Sequence, residues 1–159
     1  PYNQTKLEFI GHDTYLTWTK ETENAGDFRV SLASSTIVRV NRQEYASSDE
    51  IDLLEAFIYE PRSQQNLTVS WSREDHALSL FADRLGHMNM YQGKVSDPHI
   101  TYNMSYSYDY SPDIDLYLSV RNLTDVMPQK DGGFGYPYYY QGVFSVFGRY
   151  ASAGFNYRF

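Results

Sequence analysis

Apolar and polar positions alternate with a period of two along most of the chain. At the C-terminus, Ala151, Ala153, Phe155, Tyr157 and Phe159 take odd positions, and Ser152, Gly154, Asn156 and Arg158 fall between them. Successive side chains of a strand point to opposite faces, so this spacing predicts a strand with one apolar and one polar face. Ile114, Leu116, Leu118 and Val120 repeat the pattern. So do Tyr102, Met104, Tyr106, Tyr108 and Tyr110, then Leu67, Val69 and Trp71, then Leu78, Leu80 and Ala82, then Phe28, Val30 and Leu32, and finally Leu16 and Trp18. The reading is seven strands, near 7–20, 26–41, 65–73, 76–91, 98–110, 114–123 and 148–159. The polar faces are expected to carry Asp109, Asp115, Arg121, Asn156 and Arg158.

The connections alternate in length. Short turns are predicted at 21–25, 73–75 and 111–113, the last containing Pro112, whose fixed φ suits a tight turn. Longer links occupy 42–64, 92–97 and 122–147. Two of them exceed the roughly 12–15 residues that a compact domain tolerates without a reason. An outer-membrane β-barrel supplies one, with tight turns on one rim and long loops on the other. A water-soluble β-sandwich shares the alternation, which by itself does not separate the two architectures.

Composition narrows the choice. The 159 residues suit one domain. Aromatic residues reach 17%, with 16 Tyr and 9 Phe, a load that fits the aromatic girdles of barrels. Apolar runs are only a few residues long, far short of the roughly 18 that a membrane-spanning helix needs. The net charge of −7 argues against a nucleic-acid partner. The absence of cysteine removes disulfides, thiol nucleophiles and thiolate metal sites. The first residue is Pro1, so the sequence reads as processed, truncated or part of a longer chain.

Ser119-Val120-Arg121-Asn122-Leu123-Thr124-Asp125 resembles the N-L-F-D signature of TonB-dependent outer-membrane receptors, with Thr124 in place of the usual aromatic. Tyr59-Glu60-Pro61-Arg62 followed by Asn66-Leu67 is similar to the family's lead-in to a late barrel strand. Asp97-Pro98-His99-Ile100-Thr101-Tyr102-Asn103 is similar to the start of the strand after it. Phe155, Tyr157 and the terminal Phe159 resemble the signal read by the barrel assembly machinery. The likeness covers about 5–159 and is strongest in the last 60 residues.

That resemblance implies an all-β fold of antiparallel transmembrane strands, about seven, forming the last part of a 22-stranded barrel around a plug. Residues 1–159 would be the C-terminal portion of one barrel domain, without the plug or the TonB box. The loops 42–64, 92–97 and 122–147 would be extracellular and the short turns periplasmic. The implied function is active uptake of a scarce solute across the bacterial outer membrane: a ferric siderophore, cobalamin, an oligosaccharide or a peptide. The implied partners are outer-membrane lipid, the assembly machinery, the energy-transducing TonB complex and the ligand. An eighth strand at 51–60 would instead make a complete small barrel with a structural, adhesive or enzymatic role.

Candidate chemistry is sparse. His12, His76, His87 and His99 lack metal-ligand spacing, and no cofactor is expected. Ser79 lies near His76, but no G-x-S-x-G elbow exists, so the chain is read as a non-enzyme. Asp109, Asp113 and Asp115 read as a solvated turn, and the glycines at 132, 133 and 135 as a flexible loop. Sequons at Asn66, Asn103 and Asn122 read as chance. The candidate ligand-binding surface is the last long loop, where Phe134, Tyr136, Tyr138, Tyr139, Tyr140 and Phe144 offer rigid amphipathic area. Arg149 and Arg121 are placed at the upper lumen, in reach of an anionic ligand or of lumen acids.

Overall fold

The computed structural model describes residues 6–45, 47–54 and 60–159. Eight antiparallel strands form one sheet: β1 (Lys6–Lys20), β2 (Asp27–Gln43), β3 (Ile51–Asp52), β4 (Ser63–Arg73), β5 (His76–Leu85), β6 (His99–Ser111), β7 (Ile114–Arg121) and β8 (Tyr150–Tyr157). Seven of them pair in the order β1-β2-β4-β5-β6-β7-β8, and β3 pairs with β2 off this path. The fold is therefore all-β and antiparallel, as the alternation implies. The sheet is open: β1 and β8 do not meet.

The seven long strands fall where the period-two pattern puts them, with informative differences at their ends. The strand expected over 76–91 stops at Leu85. There the Gly86 N–H bonds the Ser63 carbonyl at 2.7 Å, and the chain turns into a loop whose Met88 and Met90 are buried. Met88 and Met90 continue the alternation, but as the core of that loop. The strand expected to reach 123 ends at Arg121, because Asn122 takes a left-handed φ of 51°. The eighth strand sought at 51–60 is two residues long, pairing Ile51 with Arg42 and Asp52 with Asn41. Residues 55–59 lie outside the described residues, and with them most of that expectation and Tyr59 of the lead-in motif.

Each neighbouring pair is joined by a short turn at one end or by a longer connection at the other. Thr22 builds the first turn: its Oγ1 donates to the Gly26 carbonyl at 2.6 Å and accepts the Ala25 N–H at 3.1 Å. Arg73 pairs directly with His76, leaving two turn residues, with Glu74 at φ 51°. Ser111 pairs with Ile114 around Pro112 and Asp113, after a bulge at Tyr110. The loops 44–62, 86–98 and 122–149 share the opposite end.

The register aligns like with like. One row runs Trp18, Val30, Val69, Leu80, Met104, Val120, Ala151 across all seven long strands. The next row towards the turns runs Lys20, Phe28, Trp71, Leu78, Tyr106, Leu118, Ala153, and beyond it lie His76, Tyr108, Leu116 and Phe155. On the other face one row runs Thr19, Arg29, Ser70, Ser79, Ser105, Ser119, Ser152. Asp109, Asp115 and Asn156 share a row of that face, where Arg158 reaches Asp115 at 2.6 Å and relieves the two facing carboxylates.

Among the described residues no second layer covers the apolar face. Trp18 is 53% exposed and Phe155 69%. The buried apolar residues Val40, Met88, Met90 and Tyr139 all lie at the loop end, away from these rows.

Gly154 and Tyr117 are paired on the polar face, and a Cβ at 154 would collide with the end of the Tyr117 ring. Gly154→Ala is expected to drive that ring off the strand and destabilise the folded sheet by about 1–2 kcal/mol. Adding Tyr117→Ala should recover most of the loss. Denaturation midpoints of the native polypeptide and the two variants check this.

Candidate functional site

The polar face and the last long loop enclose a cavity of about 960 Å³ at the loop end of β5 to β8. Its floor is mixed: Asp83 from β5, Thr101 and Asn103 from β6, and Ser119 and Arg121 from β7 stand among the apolar Phe81, Met104 and Tyr150. Its roof is apolar, with Val143, Phe144 and Phe147 from the loop. The loop thus folds over the polar face and leaves the apolar face bare.

The floor is cross-linked. The Asp83 carboxylate accepts from Asn66 Nδ2 at 2.6 Å and from Asn103 Nδ2 at 2.9 Å. Asn103 Oδ1 in turn accepts the Asn122 backbone N–H at 2.9 Å. This chain of amides ties three strands to the point where the loop begins. His99, opposite Leu85, presents its ring to Phe144, edge to face, with centroids 5.0 Å apart. The cavity holds Ser, His and Asp, but no hydrogen-bonded relay joins them among the described residues: Asp83 is bonded to amides and His99 is packed against a phenyl ring. No cluster of three or more metal-ligating side chains occurs among the described residues.

The Asn122–Asp125 segment closes the loop at its base. Asn122 is buried, and its side-chain amide clamps Val126, donating to the carbonyl at 2.9 Å and accepting the N–H at 3.0 Å. Asp125, also left-handed at φ 55°, accepts the Arg149 N–H at 2.8 Å, while Arg149 Nη2 stands 3.9 Å from its other oxygen. A Cβ at Gly148 would lie 2.7 Å from Asp125 Oδ1, so a larger residue here would push that carboxylate aside. The segment therefore joins the end of β7 to the start of β8 across 23 intervening residues. Thr124 is exposed and takes no part in the clamp.

A second anchor joins the loops to each other. Asp131 is buried; its carboxylate accepts the Gly133 N–H at 2.8 Å and the Tyr91 N–H at 3.1 Å. Gln129 Oε1 accepts the Asp97 N–H at 3.0 Å. The link expected at 92–97 is thus part of a longer loop that supports the last one.

The aromatic residues singled out in the last loop take different stations. Tyr139 is 4% exposed and packs edge-on against Phe144, its hydroxyl donating to the Ser145 carbonyl at 3.4 Å. Phe134 and Tyr140 stack on each other with centroids 5.6 Å apart. Tyr136 and Tyr138 are exposed and lie edge to face, with Lys130 Nζ 5.9 Å from the Tyr138 ring centroid. Arg149 is engaged with Asp125. Of the side chains named from sequence, Phe144 and Arg121 line the cavity; Phe134, Tyr136, Tyr138, Tyr139, Tyr140 and Arg149 do not. Asp83, His99 and Asn103 line it unannounced. Each sits on the polar phase of a strand, which is legible, but only the register brings them together.

Burial pushes the His99 pKa below its ordinary 6.5. His99 lies beyond the loop-side edge of the apolar rows. A lowered pKa means the unfolded chain binds more protons between the folded value and 6.5, so stability rises with pH through that window and falls on acidification. The protection factor at 143–145, taken against the intrinsic exchange rate at each pH, is expected to fall below about pH 6.5, and His99→Leu should remove that part of the pH dependence. Asn122→Gly should keep the left-handed backbone and lose the clamp, at about 1–3 kcal/mol, and Asn122→Ala should cost more because its backbone is strained as well. Amide exchange at Val126 and Arg149 reads both variants. Comparison with protein-family models, with curated proteins and with solved structures finds no match to this chain.

Proposed function

We propose that this chain forms wall and mouth of a TonB-dependent outer-membrane receptor, which takes up a scarce solute such as a ferric siderophore, cobalamin, an oligosaccharide or a peptide. The observation that carries this is the bare apolar face: unbroken rows across β5 to β8 on one side of a sheet whose described loops roof the other side.

Magnitudes favour lipid over water. Six interstrand spacings make the face about 29 Å wide, and three residues of strand on β1 rising to seven on β5 to β8 make it about 10–24 Å tall. That is several hundred Å² in one piece, at the top of the range of about 300–600 Å² for the largest apolar patch on a soluble monomer. The band also slopes. Its turn-side edge steps from Trp18 on β1 through Phe28, Trp71, His76 and Tyr108 to Ile114 and Tyr157 on β7 and β8. This is three rows, about 20 Å along the strands over about 29 Å across them, a slope of about 35°. Its loop-side edge moves the same way by one row, from Leu16 to Val120 and Ala151. Barrel strands tilt by about 35–45° to the membrane normal, so a horizontal lipid slab would cut these strands along such a diagonal.

Aromatic rings gather at the turn-side edge. His76 stacks on Tyr108 with centroids 4.5 Å apart, and Tyr157 lies 6.1 Å from Phe159. Phe155, Tyr157 and Phe159 thus end the apolar face, where an assembly signal would be read. In this reading the long loops are extracellular, the plug and the TonB-contacting segment belong to other parts of the polypeptide, and uptake draws on the TonB complex.

Leu118→Arg or Tyr106→Arg, inside the apolar band, should cost about 2–4 kcal/mol of folding stability in a bilayer, and Ser119→Arg or Ser105→Arg on the polar face much less. Equal costs on both faces would refute the lipid-facing assignment. An immunoblot of outer-membrane fractions against the C-terminal tail should show a polypeptide several times heavier than 18.5 kDa; a band near that mass would refute the receptor.

A further inference from the structure

We propose that the cavity under the last loop is a binding site for a small molecule with a flat apolar body and one anionic group, anchored by Arg121. The inference rests on the receptor reading for its biological setting and names the class of solute.

The walls set the apolar part. Phe81 and Tyr150 rise from the sheet, and Phe144 and Phe147 come down from the loop, so aromatic surface faces the space from both sides. A volume near 960 Å³ lies at the upper end of the range that holds drug-sized ligands. Flat rings gain most between such walls, because offset and edge-on contacts add to simple burial.

The charge follows from what is already engaged. Both Asp83 oxygens accept from amides, one from Asn66 and one from Asn103. Arg149 is held at the loop base by Asp125. Arg121, opposite Tyr150 on the polar face, makes no ion pair or hydrogen bond among the described residues. Its planar fork of donors matches a carboxylate, sulfonate or phosphate. The cavity therefore offers an unengaged cation on its floor while its acid is occupied, and an incoming anion meets attraction at Arg121 without displacing a partner. Ser105 and Ser119 add hydroxyls that can complete the contact.

The test uses the full native polypeptide in detergent micelles and three probes of one shape: 2-naphthoate, 2-naphthalenemethanol and 2-naphthylmethylammonium. Isothermal titration is expected to rank the anion about tenfold or more above the neutral probe, and the cation weakest. Arg121→Gln should erase the preference for the anion and leave the neutral probe's affinity unchanged, which also shows that the cavity is intact; Arg121→Lys should retain part of it. Phe144→Ala should weaken all three. Equal affinities, no binding of any probe, or an anion preference that survives Arg121→Gln would each overturn the proposal. The receptor reading stands or falls separately, on the contrast between Leu118→Arg and Ser119→Arg.

Discussion

Backbone pairing in a fixed register governs everything else in this molecule. Side chains alternate across a strand, so a slip of one residue between neighbours would carry every apolar group to the opposite face. Six ladders in series hold that phase from β1 to β8: Val30 meets Val69, which meets Leu80, which meets Met104. Backbone groups within the sheet are thereby satisfied, while the two outer edges at β1 and β8 stay open. With no second layer packed on the apolar face, no buried core locks the phase there. The ladders are reinforced instead by short turns at one end and by cross-strand polar contacts on the other face, such as Ser70 to Ser79 and Arg158 to Asp115.

The loop end follows a different logic. There the chain does bury apolar residues, and it does so with few contacts of high specificity. Asn122 and Asp125 occupy left-handed backbone and spend their side chains on closing a long excursion. Asp131 binds backbone donors from its own loop and from the loop carrying Tyr91. Polar side chains that satisfy backbone groups are how an irregular segment becomes ordered without a ladder of its own. The cavity exists because these clamps hold Phe144 and Phe147 above the strands instead of letting them collapse onto the floor.

The two ends together describe a division of labour. The exposed apolar rows carry few polar groups, the His76 ring hydrogen-bonded to the Tyr106 hydroxyl among them. The mouth concentrates charge, amides and aromatic rings that face one another. The segment Asn122–Asp125 stands at the border between them. Its Asn122 and Asp125 side chains tie the end of β7 to the start of β8 beneath the loop. Thr124 between them is exposed.

Period-two alternation determined where the long strands lie and separated an apolar from a polar face, and the residues between the strands marked the short turns. These are local properties: each depends on residues two apart or on a turn of a few residues, so they can be read without knowing what lies nearby. Tertiary structure alone decided the rest. It ended the strand at Leu85 by burying Met88 and Met90, gathered Asp83, His99, Asn103 and Arg121 around one cavity, buried Tyr139 while leaving Tyr136 in solvent, and engaged Arg149 but not Arg121. Each of these outcomes depends on contacts between residues far apart in the chain. Such contacts are set by register and loop closure, which the alternation of any single strand does not encode.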